Sequence, residues 1–278
     1  MIKKVIVGLD GSNYAKSAIS VACRLANDSD GTVVGVGVVD LPGIESIERG
    51  ATPGALYFAE KTEEHKIKDA IEKVEGFLTQ FESTCKKYEV NYELHSKQGV
   101  PFEVIVSEGK VSDLIILGLR TYFHFETRSK SGDTLRQILE NAVCPVFAVP
   151  EKFNDPQNIL VAYDGSVHSA RALRAFTDRF YSSYRHIKWI ILTLSDNSED
   201  SKEIQQEALN YLRCWGIEAK GLVLEGSPAS VIHNQAKSLE PMIAIIGAYG
   251  RSRISEIFFG STTRKLIDDG EIPLAIYH

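Results

Sequence analysis

The sequence predicts an α/β chain of two doubly wound, five-stranded parallel-sheet domains, on three observations. First, the chain repeats itself: "KKVIVGLDGSNYAKSAI" from Lys3 aligns with "QNILVAYDGSVHSARAL" from Gln157 at a constant offset of 154. An apolar strand, an Asp-Gly-Ser step and an alanine- and serine-rich helix recur in that order, and the copies also close alike, "CPVFAVP" from Cys144 against "IPLAIYH" from Ile272. A repeat of this size means two domains rather than a solenoid. Second, segments such as "VIVGL" and "LIILG" are apolar without alternation, as strands are when helices cover both faces of a parallel sheet. Third, strand and helix patterns alternate through both halves.

In the first half, strands are expected at 3–9, 32–39, 90–95, 113–118 and 144–149, with helices near 13–27, 62–88, 101–110 and 131–141. The second half follows with strands near 158–163, 187–194, 219–224, 242–247 and 273–277. Helix 62–88 places Ile67, Ala70, Ile71, Val74, Phe77, Leu78, Phe81 and Cys85 three and four apart, a stripe that faces a core. The stretch 40–66, "DLPGIESIERGATPGALYFAEKTEEHK", has only "SDNSEDSKE" as its counterpart. It accounts for most of the length difference between the copies and reads as a mobile flap or short helix over the sheet edge. "PEKFNDPQ", 150–157, has a proline near each end and reads as the linker between domains 1–150 and 156–278.

Bulk properties exclude several classes. At 278 residues each half is long enough to bury its own core, and a formal net charge of −6 offers no broad basic surface for nucleic acid. The apolar run in "MIKKVIVGLDGS" is short and stops at Asp10, which fits neither a signal peptide nor a membrane span, so a cytoplasmic protein is expected. Cys23, Cys85, Cys144 and Cys214 form no C-x-x-C pair, and reduced, mostly buried thiols are expected. The seven histidines have no metal-binding spacing. His168 lies two residues after Ser166, but no G-x-S-x-G elbow surrounds that serine, which argues against a hydrolase triad.

In an open parallel sheet, ligands bind beyond the carboxyl ends of the strands. Asp10-Gly11-Ser12, Asp164-Gly165-Ser166 and the loop opened by Gly247 all lie at such ends. The Asp-Gly-Ser step has a structural reading, with Asp and Ser capping the next helix and Gly permitting the turn, and a second reading in which the aspartate meets a base or ribose. In "IIGAYGRSRISEIFFGSTT" the spacing is Gly247, two residues, Gly250, nine residues, Gly260, Ser261. Glycines admit phosphate oxygens close to the backbone, the N-terminus of a helix starting near Ser261 would face the anion, and Ser261 and Thr262 add hydroxyls. Arg251, Arg253, Arg264 and Lys265 surround the loop, of which Arg251 and Arg253 are the better placed to meet phosphate. No Walker motif occurs, and "GVGVVD" at 35–40 lacks a third glycine.

With these residues in view, the chain resembles a tandem universal stress protein over both halves, apart from the 40–66 insertion. Its second half meets the G-x-x-G-(nine)-G-[ST] pattern of the family's ATP-binding members. The resemblance implies a Rossmann-like, adenine-nucleotide alpha hydrolase-like fold. It also implies that Asp164 and Leu194 embrace adenine and ribose while Gly247, Gly250, Gly260, Ser261 and Thr262 hold the phosphates of ATP, with Mg2+ as a companion. The last strands "PVFAV" and "PLAIY" would pair antiparallel, so that one chain forms a pseudo-dimer, and two tandem chains could dimerise further. The first half departs from the pattern: Thr121 stands where the second glycine belongs, one residue too many precedes Gly132, and Asp133 replaces the hydroxyl residue. Weak or absent ATP binding is expected there. The function expected is a nucleotide-dependent stress-response sensor or regulator acting on an unknown protein partner. Its rivals are a slow ATPase or self-phosphorylating enzyme using Ser261 or Thr262, and a nucleotide-independent scaffold. No residue stands out as a base that activates water, and the loop lacks the phosphate-binding lysine of fast NTPases.

Overall fold

A computed structural model describes residues 1–48, 56–123, 133–194, 198–248 and 261–278. By packing, the chain divides into a unit Ile2–Val143 and a unit Cys144–His278 that also takes in Met1. Each expected strand is present, its ends shifted by no more than three residues.

The first unit runs β1 (Lys4–Leu9), α1 (Asn13–Asn27), β2 (Thr32–Val39), α2 (Leu41–Glu48), α3 (Leu56–Tyr88), β3 (Asn91–Gln98), α4 (Pro101–Gly109), β4 (Leu114–Gly118) and α5 (Asp133–Asn141). Its strands lie in the order β3-β2-β1-β4, all parallel. β1 and β4 are buried almost end to end, which explains their unbroken apolar sequences. β3, with the sequence NYELHSKQ, sits at the edge of the order and exposes most of its side chains, which blunts that edge with charge. The stripe on α3 packs as expected, burying Ala70, Val74, Leu78, Phe81 and Cys85. Opposite it, the two glycines of "GVGVVD" make room: a Cβ on Gly35 would strike the Phe81 ring and one on Gly37 would lie 2.6 Å from a Val74 methyl. These glycines let a helix settle on the sheet and have no part in a dinucleotide fingerprint.

The insertion is more helical than a flap. α2 occupies 41–48, and α3 begins at Leu56, six residues before the expected start. Asp40 explains the first: its carboxylate accepts from the Gly43 N–H at 3.0 Å, capping a helix whose Pro42 falls in the first turn, where no N–H is required. Residues 49–55 of the insertion lie outside the described residues.

The second unit runs β5 (Val146–Val149), β6 (Asn158–Ala162), α6 (Val167–Tyr184), β7 (Lys188–Leu194), α7 (Ser198–Cys214), β8 (Ala219–Leu224), α8 (Pro228–Leu239), β9 (Met242–Gly247), α9 (Ser261–Asp269) and β10 (Leu274–Tyr277). The strand order is β5-β10-β9-β6-β7-β8. Five strands are mutually parallel and β5 is antiparallel to β10, with Phe147 opposite Ala275. β5 closes the first sequence repeat yet pairs with the last strand of the second. For that reason the packing boundary falls at Val143/Cys144, ahead of the 150–157 linker.

Candidate functional site

In both units the strand order reverses beside the first strand of the repeat. β1 lies between β2 and β4, and β6 lies between β7 and β9. Such a reversal opens a crevice at the carboxyl ends, because the loops leaving the two central strands diverge to opposite faces. Asp10 follows β1 and Asp164 follows β6, each facing the end of a strand that closes in glycine, Gly118 or Gly247.

The Asp-Gly-Ser turn is built alike twice. Gly11 and Gly165 have φ of 74° and 73°, a left-handed conformation that glycine alone adopts without cost. Ser12 and Ser166 are the N-caps of α1 and α6, accepting from Ala15 N–H at 3.1 Å and Ser169 N–H at 3.2 Å. The aspartate does not cap the helix as the sequence suggested. Its Oδ1 accepts the serine N–H two residues on, at 3.0 Å in both copies.

The first glycine of the loop motif also has a packing role in both copies. A Cβ on Gly247 would lie 2.6 Å from the His168 carbonyl carbon and the Ser169 nitrogen, and one on Gly118 would strike the Tyr14 Cβ. Tyr14 and His168 are themselves related by the 154-residue offset. Close approach of the strand end to the first helical turn demands this glycine, whatever the crevice holds.

Beyond that point the copies part. In the first, the Tyr122 N–H donates to Asp10 Oδ2 at 2.6 Å, and the Ser12 hydroxyl donates to Oδ1 at 2.6 Å. Thr121 is 2% exposed and donates to the Gly118 carbonyl at 2.7 Å. Phe123 is fully buried, with its ring tip where a Cβ on Gly8 would be, so the chain leaving β4 folds down over the end of β1. Asp10 is 7% exposed, and burial outweighs the Ser12 hydroxyl, the Tyr122 N–H and the Ser12 N–H, holding its pKa above the ordinary carboxylate value. This crevice is filled by its own loop.

In the second copy Asp164 is half-buried, and its strand neighbours place the other candidates at the same level. Ala162 is in register with Leu192 and Val161 with Ile245, so Asp164 and Leu194 end adjacent strands together, with Gly247 beside them. Ser261 opens α9 as expected and is exposed, and Thr262 is half-buried. Gly250, Arg251, Arg253 and Gly260 lie outside the described residues. Arg264 directs Nε to Asp268 Oδ2 at 3.9 Å, an exposed helix pair of little energetic weight.

The structure adds residues that sequence reading missed. Tyr163, in the place of Leu9, is 8% exposed, and burial followed by the charges of Glu207 and Asp164 raises its phenol pKa. His278 has its pKa lowered by burial and then by His168 and Arg171, so these three basic groups lie within electrostatic reach of one another. The Ala248 N–H to Tyr277 carbonyl bond, 2.9 Å, holds the end of β10 against the end of β9 and brings His278 there. No local motif joins positions 168, 171 and 278, and only the topology could reveal them. Among the described residues no cluster of metal-ligating side chains occurs, and no helix is long and apolar enough to cross a membrane.

Comparison with known proteins agrees with the repeat. A model of the universal stress protein family matches residues 1–150 and again 156–278. Universal stress protein Slr1230 of Synechocystis sp. is 22% identical over 290 residues, covering 99% of this chain and 100% of its own length. Universal stress protein MJ0531 of Methanocaldococcus jannaschii is 25% identical over 151 residues, 54% of this chain and 82% of its own. Among solved structures, a universal stress protein from Archaeoglobus fulgidus superposes with a TM-score of 0.72 at 16% identity, covering 98% of this chain and 97% of that one.

Proposed function

The chain belongs to the universal stress protein family, as a tandem member, and from that premise we propose that it binds one ATP in its C-terminal repeat and acts as a nucleotide-dependent sensor or regulator. One observation carries the reading: the two crevices share a turn, a cap and a packed glycine, but among the described residues the aspartate of the first is buried under its own chain while that of the second is half-exposed. Thr121 and Phe123 are buried in the first and Asp10 is drawn in with them, whereas Asp164 stays half-exposed beside a loop that keeps the Gly250 and Gly260 spacing.

In this reading the repeats are 1–150 and 156–278, and ATP lies across the crevice between β6 and β9. Asp164 and Leu194 flank adenine and ribose, and the triphosphate, with Mg2+, rests on the Gly247–Gly260 loop. Amide groups at the start of α9, with the Ser261 and Thr262 hydroxyls, would face the anion, while Arg251 and Arg253 supply opposing charge. The proposed setting is the cytoplasm, where free cysteines such as the four here persist.

Equilibrium dialysis is expected to find one ATP per chain. Gly250→Val should weaken binding at least tenfold, about 1.4 kcal/mol, and leave the melting temperature unchanged. Two equal sites, or no binding at millimolar nucleotide, would refute the reading.

A further inference from the structure

The first unit contains a pair of thiols that sequence spacing conceals. Cys23 on α1 and Cys85 on α3 are far apart in the chain, yet their Sγ atoms are 3.7 Å apart and both residues are fully buried. Both are free thiols. The remaining gap is within the sweep of a χ1 rotation, since a sulfur held on Cβ moves by this order when the side chain turns.

The second repeat has no such pair. The 154-residue offset sets Thr177 opposite Cys23, and Thr177 is buried with its hydroxyl donated to the Leu173 carbonyl. The equivalent turn bonds that end α3 and α7, Val90 N–H to the Cys85 carbonyl and Ile217 N–H to the Leu212 carbonyl, set Leu212 opposite Cys85. The second repeat buries a hydroxyl and an isobutyl group at these positions, so the fold does not require sulfur at either.

We propose that Cys23 and Cys85 form an oxidisable dithiol that a hydroperoxide converts to a disulfide stapling α1 to α3. One thiolate sulfur attacks a peroxide oxygen. The O–O bond breaks, a sulfenic acid forms, and the leaving oxygen departs as water after taking up a proton. The second sulfur then attacks the sulfenic sulfur, the S–S bond forms, and the hydroxyl leaves with the second thiol's proton as another water. Overall two thiols and one hydrogen peroxide give one disulfide and two waters.

The Cys23 contact, and then burial, push the Cys85 thiol well above the ordinary range, so the pair resists casual oxidation and reacts only through local opening. The bond would close a covalent loop around β2, the 40–66 insertion and most of α3. The two helices it joins also border the N-terminal crevice, since α1 starts from the Ser12 cap and α3 lays Phe77 against Gly11. Oxidation therefore fixes the wall of the closed crevice, independently of any nucleotide in the other repeat.

The test uses the full chain, incubated natively with excess hydrogen peroxide, then denatured, alkylated and peptide-mapped by mass. The expected result is a Cys23–Cys85 cross-linked peptide, loss of those two thiols to alkylation, and a melting temperature that rises and returns with dithiothreitol. Cys23→Ser and Cys85→Ser should each abolish the cross-link and the rise. Recovery of Cys23 and Cys85 as free thiols, their conversion to sulfinic acids without a cross-link, or a cross-link from either to Cys214 would overturn the proposal. Because the peptide map is read on the wild type, the outcome stands even if a serine variant folds poorly.

Discussion

The crevice at Asp10 and the crevice at Asp164 start from a similar turn, yet the first aspartate is buried and the second is half-exposed. Glycine φ, serine cap and aspartate-to-serine bond agree within a few degrees or tenths of an ångström. In the first copy, Thr121, Tyr122 and Phe123 turn inward, bury a hydroxyl and a ring, and give an amide to the aspartate. The turn chemistry is thus compatible with a crevice covered by its own chain. Turn residues show where a site lies, and the loop opposite shows whether it is open.

Six substitutions test that contrast. Phe123→Ala should have the largest effect, about 3–5 kcal/mol of stability lost from the cavity it leaves, measured by denaturant unfolding. It should not create a second nucleotide site, because Thr121 and Asp133 remain. A second equivalent of bound ATP in that variant would show the ring alone to be the barrier. Next, Gly247→Ala and Gly118→Ala should each cost about 1–3 kcal/mol through overpacking. The two losses should be similar, since the new methyl meets His168 and Ser169 backbone atoms in one case and the Tyr14 Cβ in the other, none of which a rotamer change can move.

Ser166→Ala should cost about 1 kcal/mol, and Ser12→Ala more, because the Ser12 hydroxyl also donates to the buried Asp10 carboxylate at 2.6 Å. Equal losses in thermal melts would show that the Ser12–Asp10 bond adds nothing to the cap. The smallest effect concerns pH. Asp10 holds its proton more tightly folded than unfolded, so its contribution to stability is fully present below the ordinary value of 3.8 and is lost as pH rises through the raised folded pKa. Asp10→Asn should remove that downward slope with rising pH, read from unfolding free energies across the acidic range.

Much of this was legible in the sequence because it rests on local chemistry. Unbroken apolar runs marked the buried strands, and the three-and-four stripe on α3 marked the face that meets Gly35 and Gly37. Ser12 and Ser166 stood where caps belong. Less legible was whatever depends on chain returning from a distance. Thr121 and Asp133 signalled a decayed loop, but nothing local shows that Phe123 enters the core beside Gly8 or that the Tyr122 amide reaches Asp10 across 112 residues. The helical start of the insertion was obscured by Pro42 and Gly43, breakers that the Asp40 cap accommodates. The neighbourhood of Cys23 and Cys85 and that of His168, Arg171 and His278 are likewise products of topology.

The pairing of β5 with β10 has a consequence for how the protein is made. During synthesis β5 leaves the ribosome more than a hundred residues ahead of β10, its antiparallel partner. Until β10 emerges, a wholly apolar strand keeps an unpaired edge on the growing chain. The nascent chain thus carries β5 through most of the synthesis of the second unit before that strand can pair with β10.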